Sequence, residues 1–153
     1  MPDAQKQMVV RWFEEVWNQG REETIDELLS ADCVIHDGES DARGPEGFKP
    51  FFERMRKSFS QINVTCHESI TEGDRTCLRW SATMLHTGNG LGVPATGKPV
   101  RISGMSMMRF ANGRFAEAWQ NWDALEMMEQ IRATEAAKFR MGHRHGVSDA
   151  AGG

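Results

Sequence analysis

The sequence predicts an α+β fold in which helices come first and a curved antiparallel sheet follows. Five apolar residues near the N-terminus recur at helical spacing: Val9, Trp12, Phe13, Val16 and Trp17. From Ile62 onward the spacing changes to that of strands, and Asn112-Gly113 is a strong hairpin signal. Helices that pack on one face of a strongly curved sheet enclose a pocket. We therefore expect a cone-shaped sheet with a ligand site inside it.

The individual elements follow from local patterns. We predict helices at 9–17, 24–29, 44–59 and 125–131, and strands at 33–36, 62–70, 76–86, 100–110 and 114–122. The polar segment 37–43 and the segment 87–99, which is rich in glycine and proline, are predicted loops. Pro50 falls inside the third helical pattern and predicts a tight or kinked first turn there.

Length and composition indicate one small domain. The chain has 153 residues, which is near the commonest size for a single domain. We assign residues 1–138 to that domain and residues 139–153, which are charged and then glycine-rich, to a mobile C-terminal tail. Ten methionines indicate an adaptable interior, and the complete absence of tyrosine excludes mechanisms that need a phenol.

Charge and cysteine content argue against several classes of protein. Lysine plus arginine number 18 against 22 acidic residues, and the net charge of −4 argues against nucleic-acid binding. No apolar stretch is long enough to cross a membrane, and the polar N-terminus lacks the apolar core of a secretion signal. The three cysteines have no metal-ligand spacing, so we expect reduced thiols in a cytoplasmic protein without a metal site.

Short motifs in a fixed order cover the chain from Val9 to Ile131. They are 44–47 (GPEG), 72–75 (EGDR), 86–88 (HTG), 92–98 (GVPATGK), 109–114 (RFANGR) and 117–119 (EAW), followed by Asp123 and a helix. In order and spacing they resemble the SnoaL-like polyketide cyclase family, which has the nuclear transport factor 2-like fold. The resemblance implies an enzyme that uses neither a metal nor an organic cofactor. It also implies that an aspartate matching Asp123 is the general acid/base.

Asp123 is therefore the candidate catalytic residue. It follows the last strand, and a carboxyl desolvated among nearby tryptophans and methionines would have the raised pKa that proton transfer near neutral pH requires. The structural alternative is that Asp123 caps the helix that begins at Ala124, a position that aspartate favours. The two roles are compatible with each other.

Six further residues are candidates for substrate binding: His36, His86, Ser106, Met108, Trp119 and Asn121. If the last strand is regular, Trp119, Asn121 and Asp123 share one of its faces. We expect that face to line the pocket, with Trp119 as a wall on which a planar ligand stacks. The alternative for Trp119 is an ordinary position in the core.

The other candidates carry different expectations. His36 is a possible second donor or acid/base, or else an ordinary histidine at a loop edge. For His86 we favour a role in anchoring the loop that follows it. Gly104 and Ser106 stand where the resemblance implies a glutamine and a histidine that face the ligand. The pocket of this chain is therefore expected to be more apolar than the pocket that the resemblance implies, with Met108 nearby.

These features favour a cofactor-free cyclase, lyase or isomerase that acts on a small hydrophobic carbonyl compound by general acid/base catalysis. One alternative is a non-catalytic protein that binds a small apolar ligand. Another is an epoxide hydrolase, which needs a second carboxylate and an arginine around one water. The resemblance also implies a homodimer that pairs through the convex face of the sheet, where we expect Trp80 or Trp122.

Overall fold

The computed structural model describes residues 2–38 and 40–132. The helices are α1 (Pro2–Arg11), a π-helical segment (Trp12–Asn18) that continues α1, α2 (Glu23–Leu28), α3 (Gly44–Ser58) and α4 (Ala124–Arg132). The strands are β1 (Leu29–Asp37), β2 (Ser40–Arg43), β3 (Phe59–Glu72), β4 (Arg75–His86), β5 (Pro99–Ala111) and β6 (Arg114–Trp122). The predicted C-terminal tail lies outside the described residues. The described part of the chain contains no helix that is long and apolar enough to span a membrane.

The six strands form one curved, unclosed sheet in the order β2-β1-β6-β5-β4-β3. The α+β class predicted from the sequence is confirmed, and β3 to β6 pair antiparallel as the hairpin signals indicated. The last strand then returns to the first, and β6 pairs with β1 in a parallel ladder. This pair makes the sheet mixed. No local sequence pattern predicts this pairing, because it joins segments about eighty residues apart.

Two local features differ from the sequence prediction. The segment predicted as a polar loop contains β2, which pairs antiparallel with β1 from Val34↔Arg43 to Asp37↔Ser40. This strand lies at the edge of the sheet and is mostly exposed, so it carries no apolar alternation that would reveal it. Helix α3 continues through Pro50, where a tight or kinked turn was expected. Burial of the apolar face that includes Phe48 and Phe52 holds that helix on the sheet.

The core lies between the inner face of the sheet and the N-terminal helices. Alternate residues of each strand point inward, and the strand burial patterns follow this period. The three cysteines are free thiols. Burial raises the pKa of the Cys33 thiol to about 12, so this residue behaves as a small apolar side chain.

Gly104 in β5 is a point of very close packing on the inner face. A Cβ atom built there would lie 2.5 Å from Cζ2 of Trp80, 2.7 Å from the backbone oxygen of Asn121 and 2.9 Å from Cβ of Trp122. The missing side chain therefore makes room for two indoles from the neighbouring strands. Any larger residue at this position must push either a tryptophan or the backbone of β6 aside.

Gly104→Ala is expected to destabilise the fold, because the new methyl group overlaps both an indole and a main-chain oxygen. The expected loss in the free energy of unfolding is about 1–3 kcal/mol, measured by urea denaturation. Gly47→Ala is the matched control. Gly47 is exposed in α3, where a Cβ would meet its nearest neighbour at 3.6 Å, so alanine there is neutral or stabilising. Equal effects at the two positions would contradict the packing argument.

Candidate active site

An apolar cavity opens between the inner face of the sheet and the helices. Its volume is about 70 Å³, and its mouth is open to solvent. Most of its lining is aromatic or aliphatic: Trp12, Phe13, Trp17, Phe48, Phe51, Met55, Ile62, Val64, Trp80, Ala82, Met84, Ile102 and Trp122. The two remaining lining residues are Asp37 and Gln120. The cavity therefore suits a small, mainly apolar molecule and offers it two polar side chains.

Asp37, the last residue of β1, is the one ionisable group among the described residues that line the cavity. Its Oδ1 accepts a hydrogen bond of 3.2 Å from the indole Nε1 of Trp122. Burial raises the pKa of the Asp37 carboxyl above its usual range, and the bond from Trp122 offsets part of that rise. A raised pKa lies closer to neutral pH. A carboxyl in such surroundings therefore exchanges a proton with a bound molecule more readily near pH 7 than an exposed aspartate does.

Gln120 stands beside Asp37 because the parallel ladder of β1 and β6 pairs these two residues directly. Paired residues of neighbouring strands are about 4.8 Å apart and share a face of the sheet. On the far side of Gln120, its Oε1 accepts a short hydrogen bond from the hydroxyl of Ser106. The Ser106 hydroxyl in turn accepts a bond of 3.0 Å from the indole Nε1 of Trp80.

The structure does not place Trp119, Asn121 or His36 in the cavity lining. In β6 the inward positions are Ala118, Gln120 and Trp122, so the face chosen from the sequence is the outer one. The error is one of parity, since side chains alternate between faces and a shift of one residue exchanges the two sets. For the same reason Trp80 and Trp122, expected on the convex face, line the cavity.

On the outer face, His36 and Trp119 form part of a polar and aromatic cluster. Their rings stack with centroids 5.4 Å apart. The His36 ring also bonds Asp41 through Nδ1 at 3.0 Å and Glu117 through Nε2 at 2.7 Å. The bonds to Glu117 and Asp41 raise the pKa of His36. This histidine therefore ties β2, β1 and β6 together on the side of the sheet away from the cavity.

Asp123 lies beyond the end of β6 and is exposed. Its Oδ1 accepts a hydrogen bond of 2.8 Å from the backbone N–H of Glu126, so it caps α4. The desolvated surroundings expected from the sequence are not found, and Asp123 is not among the residues that line the cavity. Its catalytic role stays a prediction, whereas its capping contact is present in the structure.

The remaining predicted residues are buried and are not among the residues that line the cavity. Ser106 and Met108 are almost fully buried, and Ser106 is hydrogen-bonded to two residues that line the cavity, Trp80 and Gln120. His86 is buried, and its Nδ1 lies 3.0 Å from the hydroxyl of Thr96 and accepts the Thr96 backbone N–H. Burial lowers the pKa of His86. These contacts give His86 the loop-anchoring role that the sequence favoured.

Asp37 and Gln120 were missed from the sequence. The predicted polar loop 37–43 includes Asp37, although Ile35 two residues earlier is apolar and belongs to the same face of β1. Trp122 is likewise two residues beyond Gln120 in β6. Extending the apolar alternation of β1 by one step identifies Asp37, and choosing the face of β6 that carries Trp122 identifies Gln120. No cluster of histidine, cysteine or carboxylate side chains among residues 2–38 and 40–132 could hold a metal ion.

These features define a cone-shaped α+β pocket protein of the nuclear transport factor 2-like class, with one carboxyl in an aromatic cavity. The sequence matches the SnoaL-like polyketide cyclase family over residues 7–131, and the chain belongs to that family. No curated protein matches it in sequence.

Solved structures of related proteins share the fold. A proposed SnoaL-like polyketide cyclase from Jannaschia sp. CCS1 is 23% identical with a TM-score of 0.79, over 86% of this chain and 94% of that one. IdmH, a proposed polyketide cyclase from Streptomyces antibioticus, is 28% identical with a TM-score of 0.70, over 82% and 96%. AclR, a proposed hydroxylase from Streptomyces galilaeus, is 22% identical with a TM-score of 0.71, over 85% and 93%. Similar folds thus carry different proposed activities.

The capping contact of Asp123 generates a stability prediction. Asp123→Ala removes the acceptor for the Glu126 N–H and is expected to lower the free energy of unfolding by roughly 1 kcal/mol. Asp123→Asn keeps an acceptor of the same shape, so its stability is expected to stay close to that of the wild type. Urea denaturation of the three proteins measures both effects. An alanine variant as stable as the wild type would contradict the capping role.

Proposed function

We propose that the chain is a cofactor-free enzyme of the cyclase, lyase or isomerase type that moves a proton on a small apolar carbonyl compound. The observation that carries this proposal is Asp37, a carboxyl with a raised pKa in a cavity whose other walls are almost entirely apolar. An aspartate in such a place is a candidate general acid/base. Membership of the SnoaL-like family supports the same type of chemistry.

The proposed step is proton transfer at a carbon next to the carbonyl group. The Asp37 carboxylate takes the proton, the C–H electron pair forms the enolate, and the negative charge develops on the carbonyl oxygen. The protonated Asp37 then returns the proton to the same or another carbon, which gives exchange or isomerisation. Alternatively, the enolate carbon attacks a second carbonyl of the same molecule and closes a ring, and the resulting alkoxide takes the proton from Asp37. Aromatic walls hold a planar substrate beside the carboxyl.

Asp123 is the competing candidate for the acid/base, because the family resemblance implies an aspartate at its position. The geometry favours Asp37, which lines the cavity, over Asp123, which is exposed and caps α4. The substitutions Asp37→Asn and Asp123→Asn distinguish the two candidates. Asn at either position keeps the side-chain shape and removes the titratable proton.

The alternatives make different demands on the cavity. An epoxide hydrolase needs a second carboxylate and an arginine, and neither is among the described residues that line this cavity. A binding protein needs only the apolar walls. It would retain a ligand without catalysing proton exchange, and its Asp37 would be dispensable for binding.

Asp37→Asn is expected to slow proton exchange by on the order of 100-fold or more, because it removes the general base. The probe is β-tetralone, an apolar ketone with acidic C–H groups, whose deuterium uptake in heavy water is followed by NMR. Asp123→Asn is the matched control and is expected to exchange at the wild-type rate. The reverse pattern would assign the chemistry to Asp123. Exchange no faster than in buffer, with the ketone bound, would identify a binding protein.

The raised pKa of Asp37 also predicts opposite effects of pH on activity and stability. Exchange is expected to rise with pH through the raised pKa, because only the carboxylate accepts a proton. Burial favours the neutral Asp37 carboxyl in the folded state. The contribution of this group to the free energy of unfolding is therefore fully present below the ordinary aspartate pKa, and it is lost as pH rises through the raised pKa of the folded state. Asp37→Asn is therefore expected to be as stable as the wild type or more stable at pH 7, which thermal unfolding measures. A large loss of stability would indicate a structural role.

We also propose that two copies pair through the outer face of the sheet. One row of cross-strand neighbours on that face is largely apolar: Ile70, Cys77, Met107 and Trp119. Ile70 is 73% exposed, so a second copy that covers this row would remove apolar surface from water. Several nearby charges are paired within the chain, as in the 2.8 Å contact between Arg79 and Glu68. A second copy that covers this row would meet these charges as pairs, which costs less than burying a lone charge.

Met107→Glu places a carboxylate in the middle of that row and is expected to convert a dimer into a monomer. Sedimentation velocity over a range of concentrations measures the mass against the 17.3 kDa of one chain. Leu125→Glu is the matched control, because Leu125 is exposed on α4 rather than on the outer face. A wild-type protein that is monomeric at every concentration overturns this proposal.

A further inference from the structure

The hydrogen bonds behind Gln120 have a fixed direction. The indole nitrogen of Trp80 can only donate, so the Ser106 hydroxyl oxygen accepts that bond. Ser106 is 1% exposed, and its own hydrogen must also find an acceptor. Among the described residues the acceptor is Oε1 of Gln120. The opposite orientation of the Gln120 amide would leave the buried hydroxyl hydrogen without an acceptor, which is unfavourable.

The consequence is that the NH₂ group of Gln120 is turned away from Ser106. No acceptor for this group occurs among the residues that the structure describes, and Gln120 lines the cavity. Asp37 stands beside it in the ladder of β1 and β6. The cavity therefore presents one hydrogen-bond donor and one proton acceptor on neighbouring strands, with apolar walls around both.

We propose that Gln120 is the donor that binds and polarises the carbonyl oxygen of the substrate, with Ser106 and Trp80 as positioning residues that hold its amide in that orientation. The inference rests on the proposed proton transfer at Asp37 and narrows the substrate class. The ligand is an apolar ketone or related carbonyl compound whose C=O and adjacent C–H groups fit side by side. They face Gln120 and Asp37 respectively.

Proton transfer at the carbon next to a carbonyl also needs a hydrogen-bond donor at the carbonyl oxygen, and Gln120 supplies that donor. When the Asp37 carboxylate removes the proton, negative charge moves to the carbonyl oxygen, and a donor fixed before the reaction stabilises that charge. The Gln120 N–H keeps its own proton throughout, so the only proton transferred is the one exchanged with Asp37. Since the chain has no tyrosine, no phenol can take this role.

The test compares two ligands of nearly the same shape, β-tetralone and its parent hydrocarbon tetralin. Titration of the full chain is expected to show the ketone binding about tenfold more tightly, which corresponds to one hydrogen bond to a neutral acceptor. In infrared spectra, the C=O stretch of the bound ketone is expected at lower frequency than in hexane. Gln120→Met, which keeps length but cannot donate, should abolish both the tenfold preference and the frequency shift.

Ser106→Ala is the second variant, and it leaves Gln120 in place. Without the hydroxyl donor the Gln120 amide can rotate. The C=O band of the bound ketone is therefore expected to shift less and to broaden. A purely structural role for Ser106 would alter stability but leave the band unchanged. This variant also keeps the inference testable if Gln120→Met does not fold.

The outcomes separate this inference from the proposed function. An unshifted C=O band in the wild type, or equal affinity for the ketone and the hydrocarbon, overturns the role of Gln120. If deuterium uptake still depends on Asp37 in that case, the proposed function stands without it. A shifted C=O band that is lost in Gln120→Met supports the carbonyl site at Gln120. If deuterium uptake is nevertheless equally fast in Asp37→Asn and in the wild type, the acid/base role of Asp37 is overturned.

Discussion

The parallel pairing of β1 with β6 is the constraint on which the rest of the site depends. It joins the beginning and the end of the fold and places Asp37 against Gln120 on the inner face. The next pair along the same ladder, His36 and Trp119, falls on the outer face. One set of main-chain hydrogen bonds thus assembles the polar part of the cavity and the outer aromatic cluster. Neither strand alone carries a complete site.

The proposed role of the Asp37 carboxyl and the stability of the fold make opposite demands on its charge. Burial raises the pKa of Asp37, so the ionised form that can accept a proton is the form that the fold disfavours. The surrounding structure offsets this cost with a single indole donor from Trp122 and with a large aromatic core. A protein selected for stability alone would place an uncharged residue at this position.

The sequence predicts the elements of this fold well and the faces of its strands poorly. Helical periods, the Asn-Gly turn and the apolar runs are local signals, and they locate the helices and long strands. The face of β6 that meets the cavity depends on its register with β1 and β5, which is a long-range property. Trp119 and Trp122 are both large and apolar but have opposite parity in β6, so the sequence is compatible with either face. The structure settles the matter through Gly104, whose missing side chain admits Trp80 and Trp122.

The distribution of aromatic residues also makes the cavity an optical reporter. The chain has five tryptophans and no tyrosine, so its absorption and emission excited near 280 nm arise almost wholly from indoles. Trp12, Trp17, Trp80 and Trp122 line the cavity, and only Trp119 lies outside it, stacked on His36. Intrinsic fluorescence therefore reads the interior of the cone without any introduced label. The single outer indole senses instead the charge on the imidazole beside it.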